Sequence, residues 1–479
     1  MATQKIVFGE WLPDQPGLAG ALVSVKNVVS QAVGYGPLAT AAIFSEEADE
    51  PLTTLVAGKE PEGATKFFAA GETKIYQCSG VGALTDVSKA GGYDASDRFR
   101  FTQFGNTIIG TDFHDKLQAY QLGTSTTFDD LSADAPVARY ITVVRDFVVA
   151  AFIKDGSDTY PLRVQWSDLN NETNWTPGET SQADYQDIPD GGQIIGIRGG
   201  EFGLVFLEKA IHRMSYVGTP FIFQFDNISR GKGCIANGSI AQVQGVCFFL
   251  SDDGFYMCDG QNVMSIGNEK VDRWFYSIAD IDGLKKMSCA VDPVSKLILW
   301  NFIGVDGRRY LMIYNFNTKK WTYGDANTDY ISDASSSGVT LEELDSISTS
   351  IDALTTSLDS ILWLGGRYFL GGTYGNYVMT YTGTPATAQI DTGDIDAGAR
   401  SLVTLARPHI DRGSADVSVA SRTRLDETIT YSTAVSADDE NRVSLRSNGR
   451  YHRFRVTPTG SQWKNAIAID IDVVAQGGR

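Results

Sequence analysis

Histidine and cysteine, the residue types most often used for metal binding and nucleophilic catalysis, are sparse in this chain of 479 residues. No two histidines are close enough for the H-E-x-x-H zinc motif, and no C-x-x-C pair is present. Cysteines without a pairing pattern are typical of buried free thiols in a reducing compartment. We therefore predict no catalytic, cofactor-binding or metal-binding residues and no cofactor. The residues in question are His114, His212, His409, His452, Cys78, Cys234, Cys247, Cys258 and Cys289.

Two glycine-containing segments match ligand-binding motifs by letter only. Residues 34–39 follow the G-x-G-x-x-A order of dinucleotide-binding loops, but Pro37 has no amide hydrogen to donate to a pyrophosphate, and no βαβ pattern surrounds it. Residues 394–398 resemble the start of a calcium-binding loop, but the twelfth position is Leu405 where glutamate is needed. Both segments are predicted to be turns.

Charged and aromatic residues cluster at two places. Residues 166–175 loosely resemble the Asp-boxes of sialidase propeller blades, in which the aspartate holds a turn together. The second cluster has the composition of a phosphate patch, but Asp470 and Asp472 nearby favour cross-strand ion pairs or an oligomer contact. Its members are Arg446, Arg450, Tyr451, Arg453 and Arg455. A carboxylate pair for glycoside cleavage cannot be identified among 58 acidic residues, because the distance between two carboxyl groups is set in three dimensions.

The charge balance opposes broad binding of nucleic-acid phosphates. The net charge is −18, and residues 1–399 carry −21 whereas residues 400–479 carry +3. The longest apolar stretch, residues 140–153, is interrupted by Arg145 and Asp146, so no segment is predicted to span a membrane. Residues 1–11 lack the basic and then apolar pattern of a signal peptide, so we expect synthesis and assembly in a cytoplasm.

The elements that must position these side chains are predicted to be short β-strands. Apolar residues recur with period two or in short runs, and glycine, which makes up 49 residues, marks many of the turns between them. Seven units of three or four strands follow one another, at residues 66–85, 99–122, 140–166, 194–225, 240–266, 287–323 and 361–382. Small sheets at this spacing bury their faces by stacking radially, so we predict an all-β fold with a β-propeller of about seven blades. A set of β-sandwiches is the alternative.

The domain prediction places an N-terminal arm at 1–40, the propeller at 41–385 and a C-terminal β-sandwich at 386–479. The change in charge supports a boundary near Pro385. Within the propeller, residues 326–360 are a polar insertion, and the T-L-E-E capping box at 340–343 predicts a short helix there.

The last strand of the C-terminal domain has a strict alternation. Ile467, Ile469 and Ile471 are predicted to share a buried face, so a charge at Ile469 should unfold the domain. Ala468, on the opposite face, is predicted to tolerate aspartate.

Several segments of the chain resemble the podovirus tail nozzle proteins, also called tail hub or packaged-DNA stabilisation proteins. The N-terminal signature is W-L-P-D-Q-P-G at 11–17, N-V-V at 27–29 and G-Y-G-P-L at 34–38, with Ser30 where the family usually has proline. The best match is residues 200–276, which contain M-S-Y-V-G, G-C and L-S-D-D-G-F at 214–218, 233–234 and 250–255. Further similar segments are T-K-I-Y at 73–76, L-T-D-V-S at 84–88 (Leu84 stands for a common tryptophan), L-E-E-L-D at 341–345 and G-R-Y-H-R at 449–453.

The resemblance implies a structural protein without enzymatic activity. It implies a nozzle or hub ring, most often a hexamer, that lies beneath the head-to-tail adaptor in the virion tail, forms the DNA exit channel and helps to retain packaged DNA. The expected partners are further copies of the chain, the adaptor, tail fibre, tailspike or needle proteins, and double-stranded DNA that passes without sequence-specific binding. A glycan-binding or glycan-cleaving propeller and an intracellular interaction propeller are the alternatives.

Overall fold

The computed structural model describes residues 2–18, 20–60, 65–80, 82–335 and 368–476. Strands dominate from end to end because apolar residues alternate or run continuously between turns. In β15 (Phe147–Asp155, strands being numbered along the chain), residues 147–153 are all buried, as expected for a strand packed on both faces. The predicted all-β class and the β-propeller are confirmed.

The strands have the following bounds. The N-terminal segment contains β1 (Ala2–Val7), β2 (Ser24–Lys26), β3 (Val28–Ser30), β4 (Tyr35–Pro37) and β5 (Ala42–Ile43). Five four-stranded sheets follow: β6 (Thr54–Lys59), β7 (Thr65–Ala70), β8 (Ile75–Cys78) and β9 (Leu84–Asp86); β10 (Arg100–Phe104), β11 (Thr107–Thr111), β12 (Gln118–Gln121) and β13 (Asp129–Asp130); β14 (Val137–Val144), β15, β16 (Asp158–Trp166) and β17 (Asp184–Asp187); β18 (Ile194–Arg198), β19 (Gly203–Leu207), β20 (Ala210–Gly218) and β21 (Ile222–Arg230); β22 (Ala241–Val243), β23 (Val246–Ser251), β24 (Gly254–Cys258) and β25 (Val263–Ser265).

The remaining elements begin with helix α1 (Asp272–Ile278), and two short 3-10 turns lie at Asn237–Ser239 and Asp282–Lys286. Strands β26 (Ser288–Asp292), β27 (Leu297–Ile303), β28 (Arg309–Asn315), β29 (Lys320–Asp325), β30 (Tyr330–Ser335), β31 (Tyr368–Tyr374) and β32 (Tyr377–Thr380) come next. The C-terminal strands are β33 (Gln389–Asp391), β34 (Ile395–Asp411), β35 (Ser414–Arg422), β36 (Val435–Ser436), β37 (Val443–Thr459) and β38 (Asn465–Ala475).

Six separate four-stranded antiparallel sheets form blades of the propeller. Five are continuous in sequence, and the sixth consists of β30, β31, β32 and β5. In that sheet Ile43 pairs with Met379 and Ala42 with Thr380, so a strand from the start of the chain completes the last of the four-stranded sheets. The pairing of β5 with β32 closes the ring through main-chain hydrogen bonds.

A larger sheet of 14 strands joins the remaining elements. Strands β26–β29 occupy one end of it, and β29 pairs in parallel with β2, which pairs with β33. The C-terminal strands then follow in the order β33, β37, β34, β38, with β1 also on β38. The N-terminal segment therefore contributes four strands to a sheet shared with the C-terminal segment. The predicted domain boundaries stay a prediction.

The strand register corrects one expectation. Ile469 and Ile471 are buried as predicted, whereas Ile467 is only partly buried and Ala468, predicted to lie on the opposite face, is 0% exposed. Strand β38 lies between β1 and β34, and the opposite face of β38 is covered as well, so an aspartate at Ala468 would not reach water. The short helix predicted at 340–343 lies outside the described residues. Helix α1 was missed, although Trp274, Phe275 and Ile278 have helical spacing.

Candidate functional site at the propeller axis

The propeller axis contains a cavity of about 600 Å³. Its wall is formed by residues of the inner strands β6, β10, β14, β18, β22 and β30, and by β26 from the larger sheet. The inner strand of each blade runs closest to the axis, so side chains from distant parts of the sequence converge there.

The charged residues on this wall are mostly arginines. Arg98, Arg100 and Arg198 line the cavity, and Asp333 is the single carboxylate on its described wall. The side chains lining the axis thus carry a net charge of +2 in a chain whose total is −18. The sequence analysis missed these residues, but R-F-R-F at 98–101 was a usable signal, because Phe99 is buried while the flanking arginines line the axis.

Arg100 reaches across the cavity. Its Nε donates to Oδ1 of Asn237 at 3.1 Å, which connects β10 to the segment before β22, three sheets further along the chain. Its Nη1 lies 3.2 Å from Oδ2 of Asp97, and its guanidinium stacks 4.9 Å from the ring centre of Tyr140. An alanine at Gly196 would place a Cβ 2.5 Å from Nδ2 of Asn237, so glycine leaves the room that this bridge needs.

Arg98 and Arg198 are not neutralised by ion pairs. No carboxylate of the described residues lies within 4.0 Å of either guanidinium. Arg98 stacks on Tyr330 at 4.9 Å, and desolvation together with the nearby charge of Arg100 lowers the pKa of Arg98 to about 10. Arg198 donates to the carbonyl oxygen of Ile240 at 2.8 Å, which holds it against the wall.

Asp333 and Cys289 also line the wall. Asp333 is accessible to the cavity yet enclosed by protein, and desolvation raises its pKa, with Arg198 acting in the opposite direction. Desolvation raises the pKa of the Cys289 thiol to about 12, so it stays protonated at neutral pH and is a poor nucleophile. The other four cysteines are buried, and none of the five forms a disulfide.

The Asp-box-like segment has a structural role. Oδ1 of Asp168 accepts the amide hydrogen of Gln182 at 2.7 Å, and its Oδ2 accepts from the side chain of Asn174 at 3.1 Å. Trp175 is 2% exposed and packs into the blade. The aspartate therefore holds a turn together, as the sequence comparison with sialidase blades suggested.

Three of the four arginines in the cluster near the C-terminus form ion pairs with aspartates. Arg450 binds Asp396, Arg453 binds Asp394 and Arg455 binds Asp391, each through two hydrogen bonds of 2.8–3.2 Å. The partners are thus these three aspartates, whereas Asp470 and Asp472, which the sequence suggested, contact His409 and Thr3. The same pairs engage the calcium-like segment 394–398, so its carboxylates are neutralised by arginine.

One further group has the residue types of a metal site. Ligand atoms of Asp112, His114 and Asp115 lie within 4.8 Å of one another. However, Asp115 binds Nζ of Lys89 at 2.8 Å, and Oδ1 of Asp112 accepts the amide hydrogens of His114 and Asp115. These contacts already commit much of the negative charge that a cation would use.

Comparisons with known proteins place the chain in no family. No protein-family profile matches the sequence, and no curated protein matches it. Solved structures that align with it include a streptogramin B lyase (11% identity, 61% of this chain and 90% of the other, TM-score 0.35). An exo-β-1,3-galactanase from Phanerochaete chrysosporium aligns at 10% identity over 81% of this chain and 98% of the other, with a TM-score of 0.29. The Neurospora crassa Pan2 WD40 domain aligns at 8% identity over 71% and 95%, with a TM-score of 0.38.

None of these likenesses reaches a TM-score of 0.5, and they give no ground for a functional assignment. Among the described helices, none has the length and hydropathy of a membrane span.

Proposed function

We propose that this chain is a structural subunit of a short-tailed bacteriophage tail. In this proposal several copies, six by resemblance, form the nozzle or hub ring beneath the head-to-tail adaptor. The ring surrounds the DNA exit channel, helps to retain packaged DNA, and contacts fibre, tailspike or needle proteins. The chain is made in the bacterial cytoplasm and functions in the virion tail without enzymatic activity.

The observation that supports this most is the position of the N-terminal signature, residues 11–17. Trp11 is 0% exposed and stacks on Tyr323 at 5.0 Å and edge-on against Trp274 at 4.8 Å. The carboxylate of Asp14 accepts the amide hydrogens of Arg273 and Trp274 at 2.9 and 2.8 Å, which caps the first turn of α1. The segment therefore fastens the N-terminus to α1 and β29.

The same segment also contacts the C-terminal strands. The carbonyl oxygen of Gly17 accepts the amide hydrogen of Asp394 at 2.9 Å, and a Cβ at Gly17 would lie 3.1 Å from both Asp394 and Arg453. Arg453 belongs to another similar segment, G-R-Y-H-R at 449–453. Two of the segments that carry the resemblance thus meet where α1, β29 and the C-terminal strands are joined, which suits a structural protein better than an enzyme.

The propeller axis of one subunit is too narrow to serve as the DNA channel of this proposal. The bridge from Arg100 to Asn237 crosses the cavity, and duplex DNA, whose major groove alone is about 12 Å wide, does not fit a packed propeller axis. A DNA channel built from this chain must therefore lie between whole subunits of a closed ring. The surplus of −21 over residues 1–399 would keep DNA from adhering to such a wall.

We further infer that β26–β29 is a blade of the same propeller, which makes seven. Ser288 of β26 accepts the amide hydrogen of Ile331 in β30 at 2.9 Å, and Nε1 of Trp300 in β27 donates to the carbonyl oxygen of Ser239, before β22, at 2.7 Å. These bonds connect the four strands to the sheets on both sides. A C-terminal β-sandwich is supported by β34 and β37, which are 17 residues long. Each of these two strands pairs with different neighbouring strands along its length.

The test combines assembly with phage genetics. The purified full-length chain, alone and with its adaptor, should form a closed ring with six times the 52.0 kDa chain mass in mass photometry, and cryo-electron microscopy should show a bore wide enough for duplex DNA. Phage particles that lack the chain should lose packaged DNA. Particles that assemble a tail and retain DNA normally without it would contradict the proposal.

A further inference from the structure

The wall of the axial cavity contains two hydrogen-bond donors without partners among the described residues. Nδ2 of Asn237 is buried and unpaired, and its amide orientation is set because Oδ1 accepts from Arg100. The hydroxyl of Thr373, a residue that is 0% exposed, is also unpaired. Both residues line the cavity. Neither donor atom is exposed to the cavity, so an acceptor in the cavity would be held by the arginines on the same wall.

The charges on the same wall specify the chemistry of that acceptor. Arg98 and Arg198 carry positive charges without a carboxylate within 4.0 Å, and Arg100 is already paired with Asp97. Arginine presents a planar fork of donors that matches phosphate and carboxylate oxygens. Uncompensated guanidinium groups enclosed by protein are costly unless an anion accompanies them.

The position of Asp333 supports the same conclusion. It is the single acidic side chain on the described wall, and it lines the same cavity as Arg98, Arg198 and Cys289. The nearby charge of Arg198 opposes the rise in the pKa of Asp333 that burial causes. One carboxylate does not balance two free arginines, and the remaining positive charge is available to a ligand.

We propose that the axial cavity is a binding site for a small anion with phosphate chemistry. The guanidinium groups of Arg98 and Arg198 supply both the charge and the hydrogen-bond donors. The volume of about 600 Å³ accommodates a phosphate group with a small organic substituent and lies within the range of small-molecule pockets. The site is independent of the proposed tail function, because it lies on the axis of one subunit, away from any channel between subunits.

The experiment uses the full-length chain and inorganic phosphate as the probe. Isothermal titration at about pH 8, where phosphate carries nearly two negative charges, is compared with sodium chloride at equal ionic strength. We expect saturable binding of one phosphate per chain. Phosphate that behaves like chloride, with no saturable heat, would overturn the proposal and leave water as the content of the cavity.

Four variants locate the site. Arg98→Met should weaken phosphate binding about tenfold or more. It should fold, because the Arg98 guanidinium stacks on Tyr330 and makes no side-chain hydrogen bond or ion pair with the described residues. Arg198→Met should act in the same direction. Arg308→Met, at a side chain that is 79% exposed, is the matched control and should change binding less than about twofold.

Asp333→Asn provides a test that a folding defect cannot imitate. Removing the single acidic group should strengthen phosphate binding about threefold or more, since repulsion between like charges disappears. Unchanged affinity in Arg98→Met, or weaker binding in Asp333→Asn, would refute the assignment of the site to the axis.

Discussion

Asp394→Asn is expected to destabilise the C-terminal strands strongly, because the Asp394 carboxylate lies between Arg422 and Arg453, whose side chains are only 7% and 14% exposed. Its Oδ2 is 2.6 Å from Nη2 of Arg422 and 2.8 Å from Nη2 of Arg453. The side chains of Asp394 and Arg422 are 6% and 7% exposed. Removing the negative charge leaves two arginines in the interior without a counter-charge, and breaking a buried pair in this way costs about 3–5 kcal/mol.

Asp396→Asn, two residues further along the chain, is the matched control. Asp396 binds Arg450 through two hydrogen bonds of 2.9 and 3.0 Å, the same geometry as the Asp394–Arg453 pair. Its side chain is 37% exposed and that of Arg450 is 44% exposed, so water and salt screen the pair. The same substitution should therefore have little effect on stability here.

Differential scanning calorimetry of the full-length chain separates the two outcomes. For a cooperative unit of 150–250 residues, each kcal/mol shifts the midpoint by about 2–4 °C, so Asp394→Asn should lower it by roughly 6–20 °C and Asp396→Asn by less than about 4 °C. Added salt should reduce the effect of Asp396→Asn and leave that of Asp394→Asn nearly unchanged. Equal shifts for the two variants would refute the argument from burial.

Three further predictions follow from buried groups and from the absence of reactive motifs. Burial raises the pKa of Asp272 to about 7, so the native chain binds the carboxyl proton more tightly than the unfolded chain does. The stabilising contribution of protonated Asp272 is therefore lost as the pH rises from about 4 to 7. Over that range the unfolding midpoint of Asp272→Asn should rise relative to that of the wild type, whereas a constant difference between the two midpoints would contradict this. Ala468→Asp should lower the stability of the chain as severely as Ile469→Asp does. Val7→Asp, at the exposed residue of β1 that pairs with Ala468, should lower stability only slightly. A small loss of stability in Ala468→Asp would show that the face of β38 that carries Ala468 is open to water. The purified chain should hydrolyse no sialoside, polysaccharide or nucleotide, and turnover that survives repurification and is lost on changing one acidic residue would disprove this.

Period-two patterning and turn residues were enough to predict a β-propeller, because a strand shows its buried face every second residue. Five of the seven predicted units overlap a four-stranded sheet that is continuous in sequence, the sixth overlaps β26–β29 of the larger sheet, and the seventh overlaps β31 and β32. The same patterning predicted that Ile469 and Ile471 face the core.

The alternation did not reveal which strands have both faces covered. Ala468 has the same local pattern as an exposed position, and only the placement of β38 between β1 and β34 in a packed sheet buries it. The pairing partners of the arginine cluster were hidden for the same reason. Asp391, Asp394 and Asp396 precede the arginines by more than 50 residues, and strand register, which one sequence does not encode locally, brings them together.

The sequence by itself determined the strand content, the repeated units, the lack of zinc and nucleotide motifs, and the uneven charge, because these depend on neighbouring residues and on composition. Only the tertiary structure decided that Arg98, Arg198 and Asp333, from three different sheets, meet around one cavity, and that Trp11 and Asp14 lock the N-terminus onto α1. Radial stacking brings residues more than 100 positions apart to a common axis, and the charge of a cavity depends on that convergence rather than on any local pattern.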